Sequence, residues 1–177
     1  MSYFKNFPII PYDSAGDGKL KDVTNLLRRV VVRSKVKDNA AVFDTYDVHD
    51  GETPEIIAHK LYGDIKKHWV ILLFNNIKDR YHDWPMSQTQ FNQYMTDKYG
   101  TNQGGVHHYE IDDDSGDSDT KIDIGTSNSL YPSATPISNL DYEQTRQDNL
   151  RKIKLLDPRY VDAFVTEFNK KIKETVI

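Results

Sequence analysis

Between residues 43 and 77 the spacing of apolar positions changes period twice, and a turn or a cap marks each change. Tyr46 and Val48 alternate with Asp47 and His49, a period of two that predicts a strand with one covered face. Asp50-Gly51 ends it, because this pair tolerates the positive φ of a tight turn. Thr53 then offers an N-cap and Pro54 a first helical residue with φ already fixed, while Glu52 and Glu55 sit where the helix dipole favours negative charge. Ile57, Ala58, Leu61 and Tyr62 share one face of this helix, and Gly63 follows where a left-handed C-terminal cap is wanted. Asp64 can cap a second helix with a stripe of Ile65, Trp69, Leu72 and Leu73. Val70, Ile71 and Phe74 carry apolar character round most of its circumference, so it must be buried. Asn75-Asn76 closes it, and the chain is expected to re-emerge as a strand at Ile77. The expected core of this strand-helix-helix-strand module is Tyr46, Val48, Ile57, Ala58, Leu61, Tyr62, Trp69, Leu72 and Leu73.

The flanks are less regular. Phe4, Phe7, Pro8, Ile9, Ile10, Pro11 and Tyr12 make an apolar arm broken by proline, expected to lie extended over the core or a neighbour. Residues 22–33 fit a helix at Val23, Leu26, Leu27 and Val30 but a strand at Val30-Val31-Val32, which suggests a change near Arg29. Tyr81, Trp84 and Pro85 suggest a loop pinned by aromatic packing. Ser87 with Gln90 forms a capping box for a helix carrying Phe91, Tyr94 and Met95 and closed at Tyr99-Gly100. Residues 106–111 and 121–124 read as a hairpin with an acidic tip, and residues 126–139 as an irregular connector. Asp141 with Gln144 opens another capped segment, Ile153 and Leu155 mark a strand, and Asp157-Pro158 starts a helix striped by Val161, Phe164, Val165, Phe168 and Ile172. The whole reads as an α+β protein: an extended arm (1–21), a core module with flanking helices (22–100), an acidic hairpin and connector (101–139), and a terminal strand and helix (140–177).

Composition sharpens this picture. The 177 residues are 37% hydrophobic, below the roughly 45% usual for globular chains, and 11 are tyrosine, a residue suited to interfaces. A net charge of -4 gives no general attraction for phosphate, and the cluster Arg28, Arg29, Arg33, Lys35 and Lys37 reads as a solvated or partner-facing edge, so no nucleic-acid partner is expected. No apolar run approaches the roughly 18 residues of a membrane span, and the N-terminus lacks a signal-peptide core, so no membrane partner is expected. With no cysteine there is no disulfide or thiolate chemistry.

Candidate chemistry is thin. There is no nucleophile elbow, no phosphate-cradling glycine loop and no carboxylate pair placed across a pocket. The acidic run at residues 112–119 lacks EF-hand spacing, since its glycine stands fifth and no glutamate follows at the twelfth position. His107 and His108 adjoin on a strand, and neighbours there point to opposite faces, so one metal is not expected to bridge them. His49, His59, His68 and His82 read as surface or boundary residues. Neither enzyme activity, nor a cofactor, nor a metal is expected.

The tyrosine-x-valine strand, the glycine-acid-threonine turn, the isoleucine-alanine helix and the closing asparagine resemble the LysM fold. Glycan-binding LysM modules use the turn after the first strand and the loop before the last, which correspond to residues 50–53 and 75–78. The longer order VTNLLRRVVV, YDVHDGETPEIIAHKLYGD, HWVILLFNNI, YHDWP and NLRKIKLLDPRYVDAFVTEF resembles the baseplate wedge protein 53 family of contractile-tailed bacteriophages. That resemblance implies a non-enzymatic structural subunit of the virion's tail baseplate, assembled in the host cytoplasm. It would be present in several copies and join wedge and hub-proximal proteins in a ring. Partner contacts are then expected from the arm (Phe4, Phe7, Ile9, Ile10, Tyr12), the two turns (Asp50, Gly51, Glu52, Thr53, Asn75, Asn76), the aromatic loop (Tyr81, Trp84) and the last helix (Phe164, Phe168). The alternatives are a peptidoglycan-binding LysM module and an assembly factor absent from finished particles.

Overall fold

A computed structural model describes residues 3–32, 42–113 and 120–174. After a 3-10 turn at Tyr3–Asn6, the elements in chain order are β1 (Ile9–Tyr12), β2 (Lys21–Thr24), β3 (Phe43–Asp47), α1 (Pro54–Tyr62) and a second 3-10 turn at Ile65–Lys67. Then come α2 (His68–Phe74), α3 (Gln88–Tyr99), β4 (Val106–Asp112), β5 (Lys121–Asp123), β6 (Thr135–Ser138), α4 (Asn139–Arg151), β7 (Lys152–Leu156) and α5 (Pro158–Lys173). The α+β class read from the sequence is observed. The chain divides into two units, one of Met1–Asp47, Glu52–Asp83 and Ile153–Ile177, the other of Val48–Gly51 and Trp84–Lys152.

The first unit holds the caps the sequence announces. Thr53 accepts a hydrogen bond from the Ile56 amide, Pro54 opens α1, and Gly63 closes it in the left-handed region at φ 64°. Asp64 caps the next turn through the Lys66 amide at 2.9 Å. Around Trp69 the core is aromatic: its ring centroid lies 4.5 Å from Phe168 and 5.3 Å from Tyr3, while Phe74 lies 4.7 Å from Phe164. Phe7, Val70, Leu156, Val161 and Ile172 complete the cluster. Tyr62 is half-buried, donates to the Leu156 carbonyl at 3.1 Å, and has its hydroxyl pKa pushed by burial up to about 12.

Several expectations are corrected here. No strand forms at Ile77. Asn76 turns left-handed at φ 56°, and the Ile77 amide bonds back to the Leu72 carbonyl at 2.9 Å, so the chain finishes the helix instead of entering a ladder. The partner of β3 is β7, more than a hundred residues later. Asn75 fixes that arrangement: its amide donates to the carbonyls of Ile71 (2.9 Å) and Lys154 (2.8 Å) and accepts from the Lys154 amide (2.8 Å). The covered face of α2 is also rotated. Trp69, Val70, Ile71 and Phe74 are buried, whereas Leu72 and Leu73 are half-buried and Ile65 is exposed, because the 3-10 turn shifts the phase at which α2 begins. In α1, Ile57 and Ala58 are fully covered but Leu61 is exposed; Tyr46 is half-buried.

The arm is more ordered than its prolines suggest. β1 and β2 form an antiparallel hairpin with Ile9 opposite Thr24 and Tyr12 opposite Lys21, so residues 21–24 are strand rather than the start of a helix. Pro11 is tolerated because a two-stranded ribbon has open edges where no amide is required. Within the connecting loop the Asp13 carboxylate accepts from the amides of Gly16 (2.7 Å) and Gly18 (2.8 Å).

In the second unit, Ser87 and Gln90 make the capping box of α3, whose Phe91 and Met95 are buried. β4 is the centre of a three-strand antiparallel sheet in the order β5-β4-β6. The hairpin of β4 with β5 follows the sequence reading, but β6 lies inside the supposed irregular connector, and the cap of α4 is Ser138 rather than Asp141. Ser138 accepts from the Asp141 amide, so the acid stands in the first turn. The buried residues include Val48, Trp84 and Ala134, together with polar His108, Asn139, Glu143 and Gln147.

Candidate functional site

The expected contact residues separate by exposure. Phe4, Ile9 and Tyr12 of the arm stand 59%, 69% and 56% exposed. Leu20, Leu26, Leu27 and Val31, which were not among the expected contact residues, are exposed as well, Leu27 at 92%. Ile10 is half-buried, whereas Phe7 is part of the interior. A groove of about 260 Å³ in the same unit is lined by Val30, Val31, Leu72, Leu73 and Ile77. Its polar lining is Tyr3, Arg29, Asn76 and Lys78, a set with no carboxylate or imidazole. One end of this region is anchored, since the Arg28 guanidinium donates to the Glu174 carbonyl. Arg33, Lys35 and Lys37 of the basic cluster lie outside the described residues, as does most of the acidic run 112–119.

The polar groups of the two turns are engaged within the chain. Asp50 accepts from the Gln88 amide at 2.7 Å, and Gly51 is exposed at φ 73°. Glu52 accepts from the Tyr46 hydroxyl at 2.7 Å and from Lys60, while Thr53 is the α1 cap. Asn75 is committed to β7, and Asn76 is exposed. The loop after α2 is held by acids around Tyr81, which does not pack, while Trp84 and Pro85 at its end are buried. Asp83 accepts from the amides of Lys78 (2.9 Å) and Asp79 (3.0 Å), and Asp79 from Tyr81 (2.8 Å), which leaves the Tyr81 ring 85% exposed. Trp84, by contrast, is an interior residue of the second unit. Phe168 is buried and Phe164 half-buried in the first unit's own core, so the stripe of α5 is largely spent on its own chain.

A polar cluster in the second unit escaped the sequence reading. Glu143 of α4 has no exposed side-chain area and accepts at Oε1 from Lys98 (2.6 Å), Tyr99 (3.0 Å) and Tyr94 (3.1 Å). Burial pushes its carboxyl pKa up, but hydrogen bonds from Lys98, Tyr99 and Tyr94 outweigh burial and hold it below the usual range. The hydrogen bonds of Lys98 itself, to Glu143 first and then to Tyr94 and Tyr99, raise the pKa of Lys98. Oε2 makes no hydrogen bond and has the Arg146 guanidinium 3.6 Å away. A signal did exist: Asn139, Glu143 and Gln147 recur every fourth residue on a helix that lacks an apolar stripe.

The histidine pair also departs from expectation. Val106 pairs with Ser138 and His108 with Ile137, so His107 is an extra residue in β4. The resulting bulge cancels strict alternation and brings the two Nδ1 atoms to 3.0 Å. His108 Nε2 lies 3.0 Å from Glu110 Oε1, and the His107 ring stacks on Tyr142 with centroids 3.8 Å apart. Among the described residues no three His, Asp or Glu side chains converge as a metal cage, and no helix is long and apolar enough to cross a membrane.

Residues 18–118, more than half of the chain, match the family model described as base plate wedge protein 53. The chain belongs to the base plate wedge protein 53 family. Baseplate wedge protein gp53 of Enterobacteria phage T4 is 23% identical to it over 137 residues, covering 70% of each chain. As a member of this wedge family the protein is a structural component of a bacteriophage tail baseplate. The matched stretch runs from the loop before β2 past the end of β4, and so takes in α1, α2 and α3.

Proposed function

We propose that the protein joins neighbouring wedge proteins around the central hub of the baseplate, through protein-protein contacts and without chemistry of its own. The observation that carries this reading is the row of large apolar side chains the first unit leaves in solvent: Phe4, Ile9, Tyr12, Leu20, Leu26, Leu27 and Val31. Four of them on the arm and three just after it suit burial by a neighbour. Modest contacts of this kind act together once one of them has formed, through effective concentration in a ring of several copies. Assembly in the host cytoplasm and residence in the finished virion follow from the same reading. A peptidoglycan-binding role is less well supported, because Asn75, Asp50 and Glu52, the polar groups such a groove would offer to a sugar, already hold the chain's own turns.

The test is co-assembly of the full chain with the other wedge proteins of its phage, comparing the parent with Leu27→Asp and Val31→Asp. Both positions are open to solvent, so melting should be unchanged while incorporation into wedge rings falls. Normal incorporation of both variants would remove the exposed stretch around Leu27 and Val31 from the reading. Retention of the parent on purified cell wall, with no co-assembly, would replace it by the glycan-binding one.

A further inference from the structure

The bulge in β4 does something that a regular strand cannot. In a regular strand adjacent side chains leave by opposite faces, and two adjoining imidazoles cannot share a ligand. Here His107 is inserted between the paired residues Val106 and His108, and both Nδ1 atoms meet on one side at 3.0 Å. Bulges of this kind re-aim side chains.

The second ring nitrogen of His108 determines what its first can do. The Glu110 carboxylate accepts only if His108 carries a proton on Nε2, so the Nε2–H donates to Oε1 at 3.0 Å, and in the neutral ring the Nδ1 lone pair accepts the Nδ1–H of His107 at 3.0 Å. An imidazole whose far N–H is bound to a carboxylate is the arrangement that orients a metal-ligating histidine and raises its basicity. His108 is itself only 7% exposed, and His107 is held in plane by its stack on Tyr142, with rings 10° apart. Both rings are therefore fixed before any ion arrives.

We propose that His107 and His108 chelate one divalent late transition-metal ion through their Nδ1 atoms, the ion displacing the proton that His107 Nδ1 donates to His108 so that His107 is left protonated on Nε2, with Glu110 as a positioning residue and water completing the coordination. With metal-nitrogen bonds of about 2.0–2.1 Å, a 3.0 Å bite subtends roughly 95° at the metal. That is a cis pair in a square or octahedral site, the geometry copper(II) and nickel(II) adopt, rather than a wide tetrahedral angle. Imidazole nitrogens also select this class over magnesium or calcium, which want oxygen. The inference is independent of the baseplate reading.

The experiment titrates the full chain, free of any polyhistidine tag, with nickel(II) chloride in a calorimeter and by nuclear magnetic resonance. The expected result is one saturable equivalent, unaffected by excess magnesium, with paramagnetic broadening centred on residues 106–110 and Tyr142. Glu110→Gln should weaken binding by about ten- to a hundredfold while both nitrogens remain. His107→Ala should abolish saturable binding. His82→Ala should leave the affinity unchanged, which controls for the exposed His82–Asp79 pair at 2.6 Å. Absence of a saturable equivalent, broadening centred elsewhere, or undiminished affinity in His107→Ala would each overturn the proposal. Should a variant fail to fold, the broadening map of the parent protein decides alone.

Discussion

The two units solve the same problem with opposite materials. The first packs Trp69, Phe74, Phe168 and Phe7 against Val161 and Ile172, and its interior gains from apolar area removed from water and from tilted ring contacts. The second buries Glu143, Gln147, Asn139 and His108 among fewer large apolar residues, so its interior holds only while each polar group keeps its partner. A dry core tolerates changes of pH and loses most when volume is removed. A polar core loses little volume energy but fails when one partner is removed or one carboxylate is protonated.

Each unit contains one of the two tryptophans, Trp69 in the first and Trp84 in the second, so fluorescence can follow them separately. The largest expected effect is on the dry side. Trp69→Ala should cost about 3–5 kcal/mol in urea denaturation, the range for deleting a buried aromatic side chain. If it melts like the parent, the aromatic cluster is not what stabilises the first unit.

Next comes the polar side. Lys98→Met removes the cation from the covered Glu143 carboxylate and leaves only phenol donors and the more distant Arg146. Breaking a wholly buried pair costs more, but the Lys98 side chain is 43% exposed, so the expected loss is about 2 kcal/mol, read from the Trp84 signal. A loss no larger than that of an ordinary surface lysine would show that the cluster is decorative.

The pH response should separate the units more cleanly. The folded-state pKa of Glu143 lies below its ordinary 4.5, so its contribution is fully present above that value and is lost as pH falls from there through the depressed one. Acid unfolding followed at Trp84 should therefore flatten in Glu143→Gln over that window. An unchanged acid profile in the variant would assign the acid sensitivity to other carboxylates.

The smallest effects should be equal in the two units. Thr53→Ala and Ser87→Ala each remove an N-cap side chain, at about 1 kcal/mol apiece by thermal melting. Caps satisfy amides at a helix end whatever the core is made of, so unequal losses would mean that the unit around the helix, and not the cap, sets its start.

Sequence spacing was sufficient for most contacts between residues a few positions apart, the α4 cap at Ser138 being an exception. The Thr53-Pro54 start, the Gly63 stop, the Ser87-Gln90 box and the Asp157-Pro158 start were all legible because their partners lie within one turn. The pairing of β3 was not, since nothing in Phe43–Asp47 says whether its partner is ten or a hundred residues away. The hairpin of the arm was hidden by Pro11, which argues against a ladder only where its missing amide is needed. Glu143 was hidden because a carboxylate on a helix is usually solvated, and only the lack of an apolar stripe on α4 hinted that its covered face had to be polar. The candidate contact surface was half legible. The arm's apolar run announced exposure at Phe4, Ile9 and Tyr12, but burial of Phe7, Trp84 and Phe168 depended on chain segments far from each of them.

By itself the order of amino acids determined most of the helices and their caps, the mixed class and the wedge-family membership, all of which rest on residue types at short fixed intervals. Tertiary structure decided which strand closes against β3, which rings become interior, and that an inserted histidine turns two opposed imidazoles into neighbours. The physical reason is one of range. Local hydrogen bonds are fixed by chemistry a few atoms away, whereas burial and strand pairing are settled only by what the rest of the folded chain brings alongside.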